Sequence, residues 1–225
     1  MKLVQFVAAA VLAVSSISAS AGLISISGGT TQLVPVDNKF EATPALYKDP
    51  SLVAGLQYTI GGNLLATANS QLALTYNLLG YESGWENNFQ ANSQVINNTT
   101  NKNVVINTVQ TYTAGQAIDF KFFTTAAGPQ GYGSFVSNGN FVSQNGLNLP
   151  VGAKNYNFAV ALNTTFKGVA YDAILFLDDT GWTKDDDNHD DLVIGLKVRN
   201  VPEPSALLLM GLGLLGLAGA RRLKA

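Results

Sequence analysis

Between its two termini, this chain of 225 residues places apolar residues at every second position, in short stretches. No long segment of that body repeats them every 3.6 residues, as a half-buried helix would. The stretches are Leu23–Ile26, Leu52–Ile60, Gln71–Leu79, Asn103–Tyr112, Ile118–Thr124, Asn155–Leu162, Val169–Leu177 and Leu192–Val198. Turn-forming clusters such as Gly61-Gly62-Asn63 separate them. Only Lys48–Leu56 begins like a helical turn. Many short strands joined by polar turns predict an all-β chain, a single β-sandwich or jelly-roll-like domain. The 179 residues from 22 to 200 are enough to bury one core. No repeat of fixed period is present.

Composition removes several classes of function. The chain has no cysteine, so disulfides, thiolate metal sites and cysteine nucleophiles are excluded. Its formal charge is −2 and no basic patch runs along it, so no nucleic-acid partner is expected.

Both ends have the composition of processing segments. The start, MKLVQFVAAAVLAVSSISASAG, carries Lys2, an apolar run from Leu3 to Val14, and then small residues. Ala19-Ser20-Ala21 suits signal peptidase, which puts the cut after Ala21 and makes residues 1–21 a signal peptide. At the other end, Ala206–Ala220 is fifteen uncharged residues followed by Arg221, Arg222 and Lys224. With Pro204 and Ser205 the uncharged stretch approaches the length of a membrane span. The basic tail would stay cytoplasmic, leaving the body outside.

Pro202, Glu203 and Pro204, then a glycine-rich apolar segment, then the closing Arg221-Arg222, together resemble the PEP-CTERM sorting signal of Gram-negative bacteria. The resemblance covers residues 201–225. It implies a C-terminal transmembrane helix recognised and cut by an exosortase. It also implies export across the inner membrane to the cell surface, outer envelope or matrix, among proteins associated with exopolysaccharide and biofilm. Pro202, Glu203, Pro204, Arg221 and Arg222 would then be read by the sorting machinery and would not form a site of this protein.

With the ends set aside, the body holds 9 basic and 14 acidic residues. Seven of the acids lie between Asp178 and Asp191. Elsewhere the body is nearly neutral, so the charge is confined to one loop between two strands. The apolar residues Val169, Tyr171, Ala173, Leu175 and Leu177 are expected on one face of the first strand. Leu192, Ile194, Leu196 and Val198 are expected on one face of the second.

Three explanations fit the acid loop. The aspartates could be solvated, guarding a strand edge. They could hold Ca²⁺, which takes six to eight oxygen ligands; Asp186, Asn188 and Asp190 place oxygen donors at alternate positions. An EF-hand does not fit, because Asp191 stands where that loop needs glycine and Lys197 where it needs glutamate. The third explanation is catalysis by paired carboxylates, which needs two carboxyls in contrasting environments. A run of acids offers none of that contrast. A single histidine, no cysteine and no nucleophile elbow argue against a triad, and one histidine does not make a typical zinc site.

The stretch AILFLDDTGWTKDDDNHDDLVIGLKV also resembles the C-terminal end of a domain of unknown function in exported bacterial proteins. Asp178-Asp179 match its acidic pair, and Asp186, Asn188, Asp190, Asp191 and Leu192 its second motif. Asn188 and Asp190 depart from the usual residues, and His189 replaces an aromatic. The resemblance implies a β-sandwich with a calcium site formed by Asp179, Asp186, Asn188 and Asp191, with Asp178 and Asp190 next.

A second segment, LALTYNLLGYESGWENNFQ (Leu72–Gln90), runs from a strand into an expected loop with Glu82, Trp85, Glu86, Asn87 and Asn88. It is similar to a stretch found in many exported proteins with this sorting signal. Trp85 and Phe89 would cover the sheet; alternatively Trp85 faces a sugar and Glu82 a cation. Trp182 is a further ligand-facing candidate. Asn97–Asn103 reads as a solvated turn. The sequence therefore favours an exported, non-enzymatic, calcium-stabilised surface or matrix protein. Its partners would be signal peptidase and exosortase during export, then exopolysaccharide. The alternatives are a secreted carbohydrate-active enzyme and a sugar-binding module.

Overall fold

A computed structural model describes residues 22–34, 41–42, 56–82, 86–100, 103–124, 135–139, 157–179, 189–202 and 210–215. The expected signal peptide, the Gly-Pro-rich 125–134 and Lys48–Gly55 lie outside them. Within the body the described residues form fourteen strands. These are β1 (Ile24–Ser27), β2 (Thr30–Leu33), β3 (Glu41–Ala42), β4 (Gln57–Ile60), β5 (Asn63–Ala66), β6 (Ser70–Tyr81) and β7 (Asn87–Ala91). They continue with β8 (Gln94–Asn97), β9 (Val105–Tyr112), β10 (Lys121–Thr124), β11 (Phe135–Ser137), β12 (Asn157–Phe166), β13 (Val169–Asp178) and β14 (Leu192–Val201).

One large sheet runs β2-β4-β12-β13-β14-β6. The far edge of β6 is shared end to end by β9, along Ser70–Asn77, and by β3 at Gly80 and Tyr81. A four-stranded sheet, β11-β10-β7-β8, and the pair β1-β5 lie against it. Leu72, Leu74, Tyr76, Phe158, Leu175, Leu177, Leu192 and Ile194 of the large sheet share one buried cluster with Phe89, Ile96, Phe120 and Phe122 of the opposing layer. Aromatic edge and stacking contacts run through it, among them Phe89–Phe122 at 5.2 Å and Phe120–Phe158 at 5.5 Å between ring centres. The chain is an all-β sandwich, as its period-two patterning predicts.

The large sheet is buried on its other face as well. Tyr58, Ala159, Ala161, Ile174, Phe176 and Val193 form a second cluster there. This explains the uninterrupted apolar runs AILFL and LVIGL: a strand covered on both faces has no polar side to alternate with.

Turn chemistry fixes the registers. Asn92 and Ser93, with φ of 46° and 64°, close the β7–β8 hairpin in two residues. Lys167 and Gly168, with φ of 48° and 76°, do the same for β12–β13. Positive φ at both central positions is the primed geometry that matches the twist of paired strands. Two glycine pairs carry the chain between layers side by side: Gly28-Gly29 joins β1 to β2, and Gly61-Gly62 joins β4 to β5. A Cβ on Gly29 would stand 2.5 Å from the carbonyl oxygen of Ile60, so only glycine fits where the crossings touch.

The inward face of β14 is the expected one: Leu192, Ile194, Leu196 and Val198 all enter the first core. In β13, Ala173, Leu175 and Leu177 do so, but Tyr171 packs in the second cluster and Val169 is 40 % exposed. The pleat is broken at Asp172. Its Oδ2 accepts the Val198 N–H at 2.7 Å, replacing a ladder bond, and Asn163 on the neighbouring strand has φ 51°. Tyr171 consequently lies over Gly195, where a Cβ would meet its ring at 2.4 Å. The strand expected at Ile118–Thr124 is shorter, Lys121–Thr124. The apolar C-terminal segment is described only over 210–215, where it is helical. Among the described residues no helix is long and apolar enough to cross a membrane.

Candidate functional site

The acid loop hangs between β13 and β14, and the structure describes both of its ends. Asp178 is the last residue of β13, and Asp179 follows it. His189, Asp190 and Asp191 lead into β14. Backbone pairing closes the mouth: the Asp191 N–H donates to the Leu177 carbonyl at 3.1 Å. The Asp179 N–H donates to Asp191 Oδ2 at 2.7 Å. Four carboxylates are thereby drawn to one end of the sandwich.

These are not solvated side chains. Asp178 is 6 %, Asp179 3 % and Asp190 1 % exposed. Asp191 keeps part of its surface in solvent, but its carboxyl group is turned inward onto Asp179. Burial is the main cause that pushes the Asp191 carboxyl well above the usual carboxylate range; the neighbouring charge of Asp179 adds to it. His189 turns the other way, into the second cluster, with its ring edge-on to Tyr58 at 5.4 Å. Burial lowers its pKa to about 4, so at neutral pH it is an uncharged aromatic. This suits a position where the sequence pattern expected an aromatic residue.

Two further segments reach this end of the molecule. The Glu82 N–H, at the end of β6, donates to the Asp190 carbonyl at 3.0 Å, so Glu82 stands beside the acid loop. Asn87, the first residue of β7, donates from Nδ2 to Asp179 Oδ2 at 2.5 Å. Asn87 is fully buried, and its Oδ1 has no hydrogen-bond partner among the described residues.

Asn87 and Asn88 are thus in a strand, where a loop was expected, and Asn97 and Asn98 are buried, where a solvated turn was expected. The reason is a network of amides. Asn98 Oδ1 accepts the Asn87 N–H at 3.1 Å. Asn97 Nδ2 donates to Asn88 Oδ1 at 2.9 Å. Asn97 Oδ1 accepts the N–H groups of Thr99 and Thr100. Buried amides satisfied in this way cost little. Inward Phe89, Ala91 and Ile96, with the two-residue turn Asn92-Ser93, were the available sign of this hairpin in the sequence. Phe89 covers the sheet as expected.

Of the six expected metal ligands, Asp178, Asp179, Asp190 and Asp191 are brought together. Asp186 and Asn188 lie outside the described residues, as do Trp85 and Trp182. Among the described residues no three acidic or histidine side chains converge closely enough to hold an ion unaided. The donors that are present are all hard oxygens, the class Ca²⁺ prefers. An open groove of about 500 Å³ lies elsewhere, between β9 and the following loop, lined by Gln110, Tyr112, Gln116, Asp119 and Asn138. Asp119 is its single carboxylate among the lining residues.

At the other end of β14, Asn200 and Val201 are still paired with Leu72 and Gln71 of β6, and Pro202 ends the strand. Residues 200–222 match the PEP-CTERM protein-sorting motif. The PEP-CTERM motif supports an exosortase-processed protein exported through the membrane to the surface of a Gram-negative cell. Of its residues, Pro202 is described and Glu203, Pro204, Arg221 and Arg222 lie outside the described set. The motif covers a small part of the chain, and the sandwich itself matches no curated protein and no solved structure.

Proposed function

We propose that this PEP-CTERM protein is a non-enzymatic component of the cell surface or extracellular matrix, associated with exopolysaccharide, whose sandwich is stabilised by Ca²⁺ at the acid loop. The observation that carries the calcium reading is the burial of Asp178, Asp179 and Asp190 at one end of the sheet. Buried carboxylates placed together repel, and a cation among them offsets that repulsion. Asp179, Asp191, Asp178 and Asp190 would supply part of the oxygen set, and Asp186 and Asn188 of the loop the rest. A cation bound only by the folded chain stabilises it by mass action, about 2.7 kcal/mol at a hundredfold excess over Kd. The carboxylates share one crowded loop, and among the described residues that line the open groove Asp119 is the single carboxylate, an arrangement that favours binding over acid–base catalysis, which uses two carboxyls set apart in a cleft.

The test is a calcium titration read by melting temperature. Chelator should lower the melting temperature by several degrees, and calcium should restore it. Asp186→Ala or Asp191→Ala should abolish the response, whereas Asp37→Ala should keep it. Magnesium should substitute poorly, because it demands a tighter octahedral shell. A wild-type melting curve indifferent to calcium and chelator would leave the aspartates without a metal-binding role. Turnover of a glycan that disappears in Asp179→Asn or Glu82→Gln would move the protein into the enzyme class.

A further inference from the structure

We infer that Asn87 is a ligand of the bound cation, so that the ion joins the four-stranded sheet to the eight-stranded one. The inference rests on the calcium reading above and adds to it a residue from the opposing layer. Asn87 is 92 positions from Asp179 in sequence, on a strand of the other sheet, yet its amide lies against the Asp179 carboxylate. Its two ends are treated differently. Nδ2 donates to Asp179, and the backbone N–H is held by Asn98 Oδ1. Oδ1 alone is buried and has no hydrogen-bond partner among the described residues. Leaving a buried amide oxygen unsatisfied costs the fold its desolvation penalty, and native structures rarely carry such a group without a reason.

A divalent cation among the carboxylates supplies the reason. An amide carbonyl is a usual Ca²⁺ ligand, and a neutral one adds an oxygen without adding to the charge repulsion of the aspartates. The Asn98 contact then has a role: it fixes the start of β7, and with it the direction of the Asn87 side chain, before any ion arrives. Orientation of a ligand by an outer hydrogen bond is a common property of metal sites.

The experiment uses the full-length chain in detergent, with Ca²⁺ affinity from calorimetry and coordinated water counted from Tb³⁺ luminescence lifetimes in H₂O and D₂O. Asn87→Ala should weaken calcium binding by about tenfold or more and raise the water count on Tb³⁺ by one. Asn87→Asp, which keeps an oxygen and adds a charge, should bind with the wild-type water count and show a larger calcium-dependent rise in melting temperature than wild type. Wild-type affinity and water count in Asn87→Ala would overturn the inference and leave the calcium reading standing. Should Asn87→Ala fail to fold, an Asn87→Asp response no larger than that of wild type overturns it. Absence of binding in the wild type overturns both.

Discussion

The backbone N–H of Asp179 and the carboxylate of Asp191 meet at 2.7 Å across the mouth of the acid loop. With the Asp191 N–H bonded to the Leu177 carbonyl, this contact holds together the two strand ends from which the loop departs. It also keeps the Asp191 carboxyl out of water and beside a second acid.

The first prediction concerns that carboxyl. Its pKa is raised in the fold, by burial first and Asp179 second, so the folded chain favours the protonated form. The stability it lends is complete below the ordinary carboxylate range and is lost as the pH climbs through the raised value. In chelator, the wild type should therefore lose stability toward neutral pH, and Asp191→Asn should lose less. Calcium should flatten the wild-type dependence. Thermal melts across this range, with and without calcium, give the comparison.

His189 should act with the opposite sign. Its folded pKa is about 4 against the ordinary 6.5. The neutral ring is favoured in the fold, so its contribution is complete above 6.5 and lost as the pH falls toward 4. A shift of this size corresponds to about 3 kcal/mol at full protonation. His189→Phe keeps the edge contact with Tyr58 and has no charge to gain, so its denaturation midpoint should fall less between pH 6.5 and 4 than that of wild type.

Gly195→Ala should destabilise the sheet. The new methyl would stand 2.4 Å from the Tyr171 ring, and overpacking of this kind costs about 1–3 kcal/mol. Chemical denaturation should show a lower midpoint with an unchanged slope. Combining it with Tyr171→Ala should cost less than the two changes added, because the truncated side chain makes room for the methyl.

Replacing Pro202, Glu203 and Pro204 together by alanine should block processing. Mass spectrometry of the cell-envelope fraction should then find the chain with its Arg221-Arg222 tail retained. The unaltered protein should lack that tail and begin near Gly22.

The sequence marked the strands whose alternation is simple. β14 puts Leu192, Ile194, Leu196 and Val198 on one face, and its period of two could be read directly. β13 was misread at Tyr171, because the side chain of Asp172 takes over a backbone bond there and local period carries no trace of that. β7 and β8 were missed for a different reason. Asparagine is a turn residue in most settings, and Asn87, Asn88 and Asn97 sit in strands because the amides of Asn88, Asn97 and Asn98 bond across the hairpin. In the site, the carboxylates of the loop were visible as a charge run. The approach of Glu82 and Asn87 was not, since it depends on how two sheets stack.

β14 has a further consequence for the spacing of the acid loop and the sorting motif. It is a strand of ten residues, with one shift of register against β6 between Val193 and Ile194, about 33 Å at the usual rise. Asp190 and Asp191 enter it at one end, and the sorting motif begins inside its other end. The strand works as a ruler, setting the acids at its start and the sorting motif at its end some 33 Å apart. Because Val201 is still paired with Gln71, the last strand of the sandwich and the start of the sorting motif are one continuous stretch of sheet, and unpairing that strand end would expose both together.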